Sequence, residues 1–169
     1  MGKKSKNLRV PEREMLMVLA VIVAATLVSI TVFVMFTGPG ARTPQGAVEK
    51  FVEGVNKQDY DMVLEATTAT LILNDRERIE FKEDMREMMT GVSRLEIVDT
   101  STIEKADITQ KEKDTFANIS IWLRDEHNLT VQDYVIQRTT LRVTEHGETK
   151  LDNLDIACLR IQRRWYIQF

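Results

Sequence analysis

The chain has 169 residues, with 23 basic and 26 acidic side chains and a formal net charge of −3. One cysteine, Cys158, excludes an intrachain disulfide and a cysteine-rich metal site. The excess of acid over base excludes the electrostatic footprint of a nucleic-acid binder, and no phosphate loop, nucleophile elbow or HExxH pair is legible.

The first 14 residues form a basic tail, with Lys3, Lys4, Lys6, Arg9 and Arg13 against Glu12 and Glu14. From Met15 to Phe36 there follow 22 residues without a charge, 19 of them apolar. As a helix this stretch is about 33 Å long at 1.5 Å per residue, enough for a hydrocarbon core of about 30 Å. The pattern predicts a transmembrane helix over 15–37. By the positive-inside rule the tail 1–14 lies in the cytoplasm and the rest outside, a single-pass protein of the cell membrane. The alternative is a cleaved signal peptide, because Gly38-Pro39-Gly40-Ala41 offers small residues to a peptidase; signal h-regions are shorter, about 7–15 residues. Thr26, Ser29 and Thr31 either mark a helix contact in the membrane or bond to their own helix carbonyls. Six basic and two acidic side chains fall in residues 1–43, leaving 17 and 24, a net of −7, for residues 44–169.

Residues 38–43 read as a linker, in which glycine and proline end one helix and free the chain. Thr43-Pro44 reads as an N-cap followed by proline at the first helical position. Val48, Phe51, Val52 and Val55 then fall at i, i+3, i+4 and i+7, one buried helical face. Tyr60, Val63, Leu64 and Thr67 suggest a short second helix. A third starts near Asn74 or Asp75, with Ile79, Met85, Met88 and Met89 on one face, Phe81 at its edge, and Gly91 as its stop.

From Ser93 the period changes to two. Leu95 and Ile97 open a strand that extends toward Ile108. Ala117, Ile119, Ile121 and Leu123 alternate with polar neighbours and read as a half-buried strand. Val131, Val135, Leu141 and Val143 mark the next, with a bulge near Ile136-Gln137. Ala157, Leu159 and Ile161 define a fourth strand, Trp165, Ile167 and Phe169 a fifth, and Arg160–Arg164 the tip between them. Three helices followed by a curved antiparallel sheet of four to five strands make the fold class α+β, with helices on one sheet face.

If Ile119, Ile121 and Leu123 share a face with Val131 and Val135, then Trp122, Tyr134 and Ile136 fall on the opposite, outer face. That face is either a surface for a partner or is covered within the domain. His127 and His146 sit in turn-like contexts beside carboxylates, poor positions for a base or a zinc ligand. Asp133 shares the phase of Val131 and Val135; buried, it could act as an acid or base with a raised pKa, and otherwise it lies near the rim or pairs with Arg138 or Arg142. Asn118-Ile119-Ser120 and Asn128-Leu129-Thr130 are sequons compatible with glycosylation outside the cell.

The run from Thr43-Pro44 through Ala47-Val48 and Phe51 to Asn56-Lys57-Gln58-Asp59-Tyr60 resembles the opening of nuclear transport factor 2-like domains. Those begin with a TP-x-x-A-V-x-x-F helix and continue through N-K-x-D-Y. The close on Trp165-Tyr166-Ile167 is similar to that family's final hairpin, so the resemblance covers about residues 43–169. It implies an α+β roll with a cone-shaped cavity, lined here by Phe51, Tyr60, Phe81, Met85 and Met88, with Asp133 as its titratable group. Members of such a family include enzymes, ligand carriers and structural modules, and fold alone does not select among them. With no convincing catalytic set and no implied cofactor or metal, the expectation is a non-enzymatic outer domain. It would meet a protein partner, or a second copy, through Trp122, Tyr134 and Ile136. A tethered small-molecule binding domain is the alternative, and an enzyme using Asp133 follows it.

Overall fold

The computed structural model describes residues 38–168. Helix α1 (Pro44–Lys57) starts where the sequence places it: Thr43 is extended, its hydroxyl accepts from the Gly46 amide at 3.0 Å, and Pro44 occupies the first turn. It ends on Gln58, whose left-handed φ of 55° lets its amide reach the last carbonyls. Helix α2 (Tyr60–Ala66) is capped by the Asp59 carboxylate and lies close against α1. Gly54 permits that approach, since a Cβ there would sit 2.9 Å from both the amide nitrogen and Cγ2 of Val63. After the one-turn α3 (Ala69–Ile72), helix α4 (Asp75–Met88) opens with a complete capping box between Asn74 and Glu77.

The chain then forms strand β1 (Val92–Ile103), helix α5 (Gln110–His127), and strands β2 (Val131–Glu145), β3 (Glu148–Ile161) and β4 (Arg164–Ile167). The sheet is antiparallel in the order β1-β2-β3-β4 and is curled. The β2–β3 hairpin turns on two residues, His146 and Gly147, both at positive φ, which is the two-residue loop that matches strand twist. Gln162 and Arg163, at φ 51° and 67°, turn β3 into β4 in the same way. The only break in the β2–β3 register lies between Val131 and Asp133, not near Ile136-Gln137 as the sequence suggested. Val131 and Asp133 consequently lie on different faces.

The α+β class holds, with two corrections. Residues 117–123 are helical, so the sheet has four strands and a helix interrupts the expected meander. Thr109 and Glu112 form a full capping box at the start of α5, and Phe116, Ile119 and Leu123 supply its inward stripe at i, i+3 and i+7. The four-residue alternation at 117–123 was a short-range coincidence within that longer pattern. Finally, among the described residues no helix is long and apolar enough to cross a membrane, so the spanning helix is withdrawn from the fold; the segments 1–14 and 15–37 lie outside the described residues.

Both sheet faces carry a core. On one face α1, α2 and α4 pack on Leu95 and Leu141 through Val52, Val55, Val63, Leu64, Phe81 and Met85. The same face continues to Cys158, Trp165 and Ile167 under Ala47 and Val48. On the other face α5 presents Phe116 and Leu123 to Ile136, Leu159, Ile161 and Tyr166. The β4 edge is closed by bridges from Ala41 to Trp165 and from Thr67 to Ile167.

Candidate functional site

The interior expected to form a cone is packed with side chains. Phe81 and Met85 are buried in the cluster between α1, α2, α4 and the sheet, with Met85 1% exposed. Phe51 and Tyr60 pack against the same cluster, and Arg86 lies over the Tyr60 ring at 5.5 Å. Met88 belongs elsewhere: it is 58% exposed on the outer side of α4. Deeper on the same sheet face is a polar set the sequence did not single out as a unit. Gln137 Nε2 donates to Thr102 Oγ1 at 2.6 Å, Thr100 Oγ1 donates to Gln137 Oε1 at 3.3 Å, and the Thr100 and Thr139 hydroxyls meet at 3.2 Å. Thr139 and Gln137 are buried, and their polar groups are satisfied by Thr100 and Thr102 of β1 and not turned toward a ligand.

The face of Tyr134 and Ile136 is the one the sequence assigned to the exterior, and helix α5 covers it. Ile136 is buried beneath α5, and the Tyr134 ring stacks on Phe116 with centroids 4.2 Å apart. Trp122 is parted from both because it stands on α5 itself, 43% exposed, edge-on to His127 at 4.7 Å. The three-residue surface of Trp122, Tyr134 and Ile136 is therefore corrected to Trp122 with its exposed neighbour Ile121, on the outside of the covering helix.

Beyond the N-terminal start of α5 the same sheet face is bare. Its cross-strand neighbours are mostly polar: Arg142 Nη1 donates to Glu96 at 2.8 Å, and Thr140 donates to Asn153 at 2.7 Å, while the exposed Leu151 lies opposite Arg142. Arg138 makes a two-pronged bond to Asp155, at 3.0 and 3.1 Å, which holds that carboxyl below its usual pKa. Where this face meets the start of α5 there is a cleft of about 590 Å³ bordered by Glu104, Asp107, Glu112, Arg138 and Asp155. A second cleft, of about 410 Å³, lies between Tyr60, Arg86 and Val92. Both have the volume of ligand sites, but the first has a charged border in place of the apolar lining such sites use, and the second mixes Arg86 and polar groups with Tyr60, Met89 and Val92.

Asp133 does not sit at the base of a cavity. Its carboxylate accepts from Lys105 and from the Tyr134 amide, and the Lys105 ammonium lies 5.3 Å over the Tyr134 ring. The hydrogen bond from Lys105 holds the Asp133 carboxyl below the ordinary range, against a smaller opposing effect of burial. That is the reverse of the shift a general acid at neutral pH needs. His146 sits at the β2–β3 turn, whereas His127 ends α5 and is not a hairpin tip. Asn118 is exposed in the middle of α5, and Asn128 is its left-handed C-cap at φ 54°. Cys158 is fully buried and burial pushes its thiol up to about 12, a packing residue and not a nucleophile. Among the described residues no group of three or more His, Cys, Asp or Glu could hold a metal ion.

No family model matches the chain, and no curated protein or solved structure matches it either.

Proposed function

We propose that this chain carries a non-catalytic α+β roll of the nuclear transport factor 2-like kind, acting as a protein-interaction or assembly module on the outer side of a membrane. The observation that carries the reading is the filled interior. Phe81, Met85 and Leu141 occupy the space a ligand would need, while Ile121, Trp122 and a bare polar sheet face are left outside. The family part is supported by the Thr43-Pro44 helix start and by helices packed on a curled sheet; helix α5, inserted between β1 and β2, is an addition to that plan. The membrane part rests on the amino-acid sequence alone, in the uncharged stretch 15–36 and its basic flank.

The test is the size of the complex that the full-length chain forms when extracted in mild detergent. A species heavier than the detergent-bound single chain, reduced by Trp122→Ala at unchanged thermal stability, is the expected result. A wild-type chain extracted alone, together with substrate turnover abolished by Asp133→Asn, would overturn the reading.

A further inference from the structure

The fold protects the edges of its sheet unevenly. At β4, Ala41 and Thr67 bridge to the strand. At β1, the Asn56 amide imitates a neighbouring strand, accepting from the Leu95 amide and donating to its carbonyl, both at 2.7 Å, and two register breaks bend the strand. The third edge is the first half of β3. Strand β4 pairs only with residues from Cys158 onward, and Gln168 reaches back to the Ala157 carbonyl. Among the described residues, 148–156 have β2 on one side and no strand on the other, with no bulge in the β2 register along that length. Leu151 is 60% exposed there and Leu154 45%. Long regular edges of this kind pair with another strand unless something prevents it.

The turn fixes which backbone groups are open. Glu145 and Glu148 close the two-residue loop as a hydrogen-bonded pair, so even-numbered residues of β3 bond to β2. The amides and carbonyls of Thr149, Leu151 and Asn153 then point outward. We infer that this edge pairs antiparallel with the same edge of a second copy, with Leu151 opposite Leu151 on the two-fold axis. The register follows from charge. With Leu151 on the axis, Lys150 of each chain faces Asp152 of the other, giving two symmetry-related ion pairs, and Thr149 faces Asn153. Centring on Asp152 instead sets two carboxylates against each other, and centring on Asn153 sets Asp152 against Leu154 and loses both ion pairs. The chosen register also uses residues 148–154 of both chains and ends at the hairpin turn before reaching the segment that β4 covers. The result is an eight-stranded sheet across the dimer. This inference rests on the reading of the domain as an assembly module and adds a second copy of this chain as a partner, at an edge separate from Trp122.

The test uses the full chain in mild detergent. Residues opposite each other in a hydrogen-bonded antiparallel pair have Cα atoms about 5.5 Å apart, inside the range a disulfide spans. Leu151→Cys should form a disulfide-linked dimer under mild oxidation. Leu154→Cys, also exposed but set away from its own copy in this register, should not, and neither should the wild type with its buried Cys158. Lys150→Glu should raise the dimer dissociation constant about tenfold, and adding Asp152→Lys to it should restore dimerisation. Equal crosslinking at 151 and 154, or a double variant no better than Lys150→Glu, refutes the register. A monomeric full chain with no crosslink at 151 refutes self-pairing even if other proteins are still held through Trp122, so the two proposals fail separately.

Discussion

The position of Ile136 separates a covered sheet face from an open one, so Ile136→Ala is a sharp perturbation. The side chain is 4% exposed and packs among Phe116, Leu123, Leu159 and Tyr166. Truncation removes three carbons, worth about 2.4 kcal/mol at about 0.8 kcal/mol per buried methylene, and the residual void adds to that. The expected loss is about 2.5–4 kcal/mol, or roughly 8–16 °C in thermal midpoint for a domain of this size. The assay is thermal unfolding of the full-length chain followed by tryptophan fluorescence, which Trp165 reports from the core and Trp122 from α5. On an open face the same substitution would change stability by about 0.5 kcal/mol or less. A loss that small would refute the covering role of α5.

Three further outcomes follow from local geometry. Gly91 lies at φ +94°, with a notional Cβ 2.4 Å from the His146 ring, so Gly91→Ala should cost about 2 kcal/mol or more, seen as a lowered thermal midpoint. Cys158 should resist a maleimide at pH 8 in the native protein and react fully in denaturant; rapid native labelling would contradict its burial. Asp133, held low by Lys105, stabilises the fold fully above the unfolded carboxyl pKa of about 3.9, and the contribution is lost as pH falls through the lower folded value. Asp133→Asn should therefore cost about 0.5 kcal/mol at pH 7 for this largely solvated pair, and progressively less as pH falls below about 3.9, in urea titrations across that range.

What the sequence disclosed depended on the range of the signal. Helix α1 was legible because a cap, a proline and an i, i+3, i+4, i+7 face agree within 14 residues. The hairpin turns were legible from a glycine between charged residues at His146-Gly147 and from the basic cluster Arg160–Arg164. Helix α5 was not, because Ala117, Ile119, Ile121 and Leu123 alternate over the few residues that a strand also needs. The signal that could have decided it was the Thr109–Glu112 capping box upstream, with Phe116 and Leu123 seven apart. That one misreading propagated into the site. With α5 taken as a strand, Trp122 joined Tyr134 and Ile136 on one surface, when in fact it lies on the element that buries them. The phase of Asp133 failed for a different reason, since the extra residue between Val131 and Asp133 is a backbone event with no glycine or proline to mark it. Met88 and Ile79 were placed on the buried stripe of α4 by periodicity, yet both are more than half exposed, because the packing there uses only Phe81, Met85 and Met89.

The central claim is that this domain works through its surface, on the side of α5 and the bare sheet face, and not through its interior. Photo-crosslinking side chains placed singly at Trp122, Arg142 and Met88 of the full-length chain in intact cells test this most directly. All three positions are exposed, and Met88 lies on the opposite side of the sheet. Protein adducts at 122 or 142 and none at 88 are the expected result. Adducts at 88 alone, or none at any of the three, would contradict it.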